Sequence, residues 1–275
     1  MGADMNRNIH DTSDIGKLFP IDSQTSDTDK LFLKNVINLM SEKFGSFTYI
    51  ELGSFLGGTL APFLVAKDCI SVLSVDDRER QQPDERGPKY DYAGIVSQTM
   101  IDNLQKNGLP TTKLKTFDGS IESLPQSQSK FDLGFIDAEH TDEAVFRDFV
   151  YLLEHMKRDC IVMFHDSSLT AKGIANIITL EQQKRHNRKF GLSRVLAGQK
   201  KIGACKFFKK RDSEMSCMLF GKYAHINAPA YLGEQEPTEE YMARSARYIL
   251  EQKIIHQVAF EGEFKILDTM ILKAY

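Results

Sequence analysis

Tyr49-Ile50-Glu51-Leu52-Gly53-Ser54-Phe55-Leu56-Gly57-Gly58-Thr59 reads as an apolar strand that runs into a glycine-rich turn and then a helix. Such a junction is where an α/β sheet takes a nucleotide, because glycines let the ligand approach the backbone and the turn's amide groups face it. A dinucleotide-binding loop would want a second glycine where Phe55 stands, so NAD and FAD are disfavoured. A turn that merely packs helix on strand is the plainer alternative.

Outward from this stretch the chain alternates short β-rich runs with helical stretches, the order of a parallel sheet covered on both faces. The expected strands are 48–52, 71–75, 112–117, 131–136, 160–164, 204–208 and 216–220, with helices over 59–66, 92–107, 141–153 and 173–185. The last two strands lack a helix between them and are expected to pair antiparallel. Ahead of the sheet, Leu31, Phe32, Val36, Leu39 and Met40 recur at helical spacing behind a Ser26/Asp27 cap, and Gly45 ends that helix. The fold class is therefore α/β, a Rossmann-like, seven-stranded, mostly parallel sheet. Its domain spans 26–222, preceded by a flexible N-terminal arm over 1–25 and followed by an accessory segment over 223–275 that holds a helix at 238–256 and an alternating tail at 258–272.

The spacing Glu51-x-Gly53-x-x-x-Gly57 resembles the first motif of class I S-adenosylmethionine (SAM)-dependent methyltransferases. The resemblance implies that Glu51 lies near the methionine amino group and that Gly53, Ser54 and Gly57 bring the backbone close to SAM. Val72-Leu73-Ser74-Val75-Asp76 ends the second strand with an acid, the place from which a carboxylate accepts both ribose hydroxyls; Asp77 is its competitor. By the same resemblance Asp118, closing the third strand, reads the adenine amino group.

Phe131-Asp132-Leu133-Gly134-Phe135-Ile136-Asp137-Ala138-Glu139-His140 resembles, on to Asp148, a pattern shared by sugar and natural-product O-methyltransferases, with Ala138 in place of the usual glycine. An apolar strand delivers Asp137, Glu139 and His140 to the carboxyl edge of the sheet, and the next one, Ile161-Val162-Met163-Phe164, delivers His165 and Asp166. Such a cluster can hold a divalent cation through oxygen ligands. In the resembling metal-dependent enzymes acids at the positions of Asp137 and Asp166 are the metal ligands, and Asp137 also borders the cofactor. Here Ser167 follows Asp166, so the acid set is incomplete, which leaves open Mg²⁺, another divalent cation or none. His140, Glu139 and His165 are the candidate bases, His140 foremost since its ordinary pKa is near ~6.5; a helix-capping histidine is the plainer alternative. The long polar loop after Asp76 offers Arg78, Arg80 and Tyr92 as substrate contacts.

The bulk composition sets limits. The chain has 275 residues, 41% hydrophobic and 27% charged, an ordinary globular balance. A net charge of -3 supplies no field for nucleic acid, and the basic clusters are short. No apolar run approaches the ~20 residues that span a bilayer, and residues 1–20 lack an apolar leader, so a cytoplasmic protein without a membrane partner is expected. Cys69, Cys160, Cys205 and Cys217 are too widely spaced for a zinc or disulfide framework. Tyr231, Tyr241, Tyr248, Phe260, Phe264 and Ile266 in the accessory segment point to a homodimer contact or a cover for the site. The expected activity is O-methylation of a hydroxyl on a saccharide or small polar metabolite. The competing readings are a metal-independent N- or O-methyltransferase and an inactive SAM-fold scaffold.

Overall fold

The computed structural model describes residues 11–21, 23–78, 81–87, 89–90, 92, 94–126, 129–189 and 204–261, with residues 90, 183–189 and 254–261 described by backbone only. Seven strands form one sheet: β1 Phe47–Leu52, β2 Cys69–Asp76, β3 Leu114–Asp118, β4 Phe131–Ile136, β5 Met156–Phe164, β6 Cys205–Lys209 and β7 Ser216–Phe220. Their order is β3-β2-β1-β4-β5-β7-β6, parallel from β3 to β5. The reversed strand, β7, runs antiparallel to both β5 and β6. The chain winds one way from β1 to β3 and the other way from β4 onward, so the crevice between β1 and β4 is the switch point where ligands of such sheets bind.

Alternation along each strand divides the core in two. Tyr49, Leu133, Phe135, Ile161 and Met163 face helix α2 (Asp27–Phe44) and α3 (Ala61–Val65), where Tyr49 stacks on Phe63 at 3.6 Å. Ile50, Leu52, Ile136, Val162 and Phe164 face α5 (Asp142–His155) and α6 (Ala171–Lys189). Both faces are covered, which is why these strands read as continuous apolar runs. Each buried large side chain contributes about 1.5–3 kcal/mol.

Some expected boundaries move. The helix expected from Tyr92 is α4, Ser97–Lys106, because Gly94 at φ +82° breaks the run and Val96 stays extended as the N-cap. β5 begins at Met156 rather than Cys160, directly after α5, and α6 begins two residues ahead of Gly173. Within the expected flexible arm a short helix, α1 (Ile15–Leu18), forms, and Ile15, Phe19 and Ile21 are buried against the α2 side of the core. Three apolar residues in a polar stretch are enough to dock it.

The accessory segment contains α7 (Ala228–Leu232) and α8 (Thr238–Glu261). Tyr241, expected to be exposed, is fully buried in its own chain, stacked near Phe207 and donating a hydrogen bond to the Ser167 carbonyl at 2.5 Å. The Phe260 side chain, Phe264 and Ile266 lie outside the described residues. No described helix is long and apolar enough to cross a membrane, and all four cysteines are free thiols.

Candidate active site

Hydrogen bonds join neighbouring strand ends across the switch point. Gly53 N–H donates to Val75 O at 2.9 Å, Asp137 N–H to Leu52 O at 2.9 Å, His165 N–H to Ile136 O at 3.1 Å and Gly119 N–H to Asp76 O at 3.0 Å. Beyond this edge lies a cavity of about 440 Å³, within the ordinary range for small-molecule sites. The glycine loop forms one wall with Asp76, Arg78 and Tyr92; Asp137, His140, His165 and Asp166 form the other. Ser23, Gln24 and Thr25 close a third side.

Gly53 has φ +85°, and a Cβ there would lie 2.1 Å from the Asp137 carbonyl oxygen, so only glycine allows β1 to end so close to β4. Gly57, at φ +87°, packs on Leu104 and Met100 of α4 and does not line the cavity. Phe55 sits at φ +43°, a costly conformation for an aromatic residue, and stands over the cavity edge-on to Tyr92 at 5.3 Å. Asp76 explains how the loop holds that shape: its Oδ2 accepts the Phe55 N–H at 2.8 Å. Burial raises the Asp76 pKa, against the opposing pull of Arg78 and that amide.

Glu51 is fully buried and does not reach the cavity. Tyr49 donates to one of its oxygens and Thr59 to the other, the latter at 2.8 Å. Burial pushes its pKa up to about 8, partly offset by these donors. Asp118 also stays outside the cavity: it accepts from Arg78 Nη1 at 2.7 Å and from the Ser97 hydroxyl. Arg78, only 3% exposed, also donates to Ser74 Oγ at 3.2 Å. The third-strand acid thus fixes an arginine in the cavity wall. Ser54 and Tyr92 line the cavity; Arg80 lies outside the described residues.

On the opposite wall Asp137, His140 and Asp166 can bring one ligand atom each within 4.8 Å of one another. His140 Nε2 lies 3.2 Å from Asp166 Oδ2 and 3.8 Å from Asp137 Oδ1, while His165 Nδ1 lies 3.1 Å from Asp137 Oδ1. Asp166 has φ +44°, and its carbonyl accepts from Leu169 and Thr170 ahead of α6. Burial lowers the pKa of both imidazoles, but the surrounding carboxylates win: His140 ends raised to about 10 and His165 well above its ordinary value. The surrounding carboxylates thus favour the imidazolium form of both, which counters the charge of the acid pair. Glu139, the other candidate base, turns away from the cavity and accepts from Thr141 Oγ1, the N-cap of α5, at 2.8 Å.

Two acids absent from the expected set stand behind the histidines of this wall, outside the cavity lining. Asp84, on the loop after β2, accepts from Arg86 Nε and Nη2 at 2.7 and 2.6 Å and lies 3.3 Å from His140 Nδ1. Burial opposes its ionisation, yet Arg86 and His140 hold its pKa well below the usual range. Asp29, 3.5 Å from His165 Nε2, accepts from Ser26 Oγ at 2.6 Å and Ser213 Oγ at 2.5 Å. In the sequence Asp29 had only a helix-cap signal and Asp84 only a charged-loop signal; what gives them their place is a contact distant along the chain.

The segment 50–167, which holds the glycine loop and the ends of β1, β2, β3, β4 and β5, matches the model of a family described as a methyltransferase domain. No curated protein matches the chain. Among solved structures, an O-methyltransferase candidate from Klebsiella pneumoniae aligns over 78% of this chain and 89% of its own at 11% identity, TM-score 0.46. The O-methyltransferase TomG from Streptomyces achromogenes, in complex with SAM, aligns over 77% and 88% at 10% identity, TM-score 0.42. An O-methyltransferase from Bacillus cereus in complex with S-adenosylhomocysteine (SAH) aligns over 68% and 80% at 13% identity, TM-score 0.40. Over residues 50–167 the chain is thus similar to a methyltransferase domain, and the order of its strands is that of a Rossmann-like sheet.

Proposed function

We propose that the protein transfers a methyl group from SAM to a hydroxyl oxygen of a saccharide or similarly polar small molecule. One observation carries this reading: a single cavity joins a glycine-loop wall, suited to an adenosyl group, to a wall of paired acids and imidazoles at the ends of β4 and β5.

When bound, SAM supplies a sulfonium methyl that an in-line oxygen would attack, the C–S bond breaking to release SAH as the O–C bond forms, so the chain's work is positioning and proton removal. Asp76 would take the ribose hydroxyls while keeping the Phe55 amide. Phe55 and Tyr92 offer an aromatic flank for the adenine. Glu51, with both oxygens already engaged, supports the loop from behind it. His140 is the base, Asp84 holding its Nδ1 side while Nε2 faces the acids.

As an imidazolium His140 cannot accept a proton. The donors fit a divalent cation: Asp137 and Asp166 would hold it, and its charge would replace that of the imidazolium and lower the pKa of the acceptor hydroxyl. Imidazole beside the two carboxylates suits a transition metal better than Mg²⁺. The second reading is a metal-independent N- or O-methyltransferase, in which the two histidines neutralise the acids in place of a cation and one of them would have to lose its proton before it serves as base.

Calorimetric titration with SAM and SAH, followed by methyl-transfer assays with EDTA or added Mn²⁺ or Mg²⁺, tests the reading. Micromolar cofactor binding with metal-stimulated transfer supports it. Transfer unaffected by EDTA favours the metal-independent form, and no cofactor binding refutes both.

A further inference from the structure

A second cavity, of about 400 Å³, lies on the far side of His165 and Asp166 and shares both residues and Gln24 with the first. Every side chain that lines it is polar or charged, whereas the first cavity includes Phe55, Leu56 and Tyr92. Its six acids, Asp29, Asp166, Asp212, Glu214, Glu236 and Glu240, outnumber the basic side chains Arg211, Arg244 and His165. Both arginines are paired, Arg244 bidentate with Glu236 at 2.9 and 3.0 Å and Arg211 with Glu240 at 3.0 Å, so they leave the acid excess in place. His165 is only 8% exposed, and its Nε2, 3.5 Å from Asp29 Oδ2, makes no hydrogen bond among the described residues.

We infer that this second cavity is the acceptor subsite and that it takes a polyhydroxylated amine, an amino sugar of one or two rings. The inference rests on the methyltransferase reading, since it places the acceptor across Asp166 from the methyl donor. An apolar or aromatic acceptor would strip water from carboxylates and guanidiniums without returning hydrogen bonds, which costs several kcal/mol. A polyol returns those bonds, and an ammonium group answers the acid excess. An anionic sugar meets that excess with like charge.

The test is binding of neamine, a two-ring amino sugar, to the full chain saturated with SAH, with trehalose and catechol as comparisons. Neamine is expected to bind at least about tenfold more tightly than trehalose, and catechol not at all. Asp212→Asn keeps a residue type that tolerates the φ of +55° there, and Glu240→Gln keeps the side chain's shape. Each is expected to weaken neamine about three- to tenfold while SAH affinity holds. Asp102→Asn, an exposed acid on α4, is the control and should leave neamine binding unchanged. Equal loss in the control, no loss in the two variants, or no preference for neamine over trehalose overturns the inference while SAH binding leaves the transferase reading intact. Failure to bind SAH defeats both.

Discussion

The two walls of the first cavity handle charge in opposite ways. On the β1–β2 wall Glu51 is met by the neutral donors Tyr49 and Thr59, and Asp76 by the Phe55 amide and Arg78, and burial raises the pKa of both carboxylates. On the β4–β5 wall carboxylates and imidazoles are interleaved, with Asp84 and Asp166 held low and His140 and His165 held high. The first arrangement fixes a loop and, under the proposed function, would take uncharged hydroxyls. The second stores charge where that proposal puts the exchange of a proton or a cation. On that reading binding and chemistry are separable by substitution.

The sharpest way to break that separation is Asp137→Asn or Asp166→Asn. Each should lower methyl transfer by about 10²-fold or more, while SAH affinity by calorimetry stays within a few-fold; an equal fall in both would merge the walls. Gly53→Ala attacks the seam, where the new methyl would meet the Asp137 carbonyl at 2.1 Å. It should cost roughly 2–4 kcal/mol in denaturant unfolding. Asp76→Ala should do the reverse of the Asp137 variant, weakening SAH by about 1.5–3 kcal/mol while the transfer rate at saturating cofactor changes far less.

The recognition wall also carries a pH signature. Folded Glu51 keeps its proton up to about 8, whereas unfolded glutamate releases it near 4.5. Between those values the folded chain binds more protons, so its stability falls as pH rises, by at most about 1.4 kcal/mol per unit. Melting curves of Glu51→Gln should show a flatter decline across that window; an unchanged slope would mean that Glu51 is ionised in the folded chain. The smallest effect concerns the tie of α8 to the loop after β2. Lys253 Nζ lies 3.1 Å from Glu85 Oε2, and Lys253→Ala should shift stability by under about 0.5 kcal/mol because the lysine is half exposed.

The sheet, its switch point and the acids that end β2, β4 and β5 could be read from the sequence, because strand periodicity and the position of an acid at a strand end are local signals. The direction a residue takes after the strand ends was not legible. Glu139 and His140 are adjacent, yet one turns to Thr141 and the other into the cavity. Asp118 was expected to face the cofactor and instead pairs with Arg78, a partner 40 residues away. Asp29 and Asp84 enter the site only because α2 and the loop after β2 fold back on it, and tertiary contacts of that kind leave no periodic trace. Tyr241 was taken as exposed because a sequence cannot show that α8 packs over β6 and that Ser167 accepts its hydroxyl.

The bonds linking Gly53, Asp76, Asp137 and His165 to neighbouring strands have a further consequence. They make the sheet edge a fixed gauge, so the spacing of donor wall and acid wall follows from the spacing of strands rather than from side-chain choice. The loops above can then be exchanged piece by piece, as heads on a common handle, and a descendant of this chain could change its acceptor without first relearning where to put the methyl group.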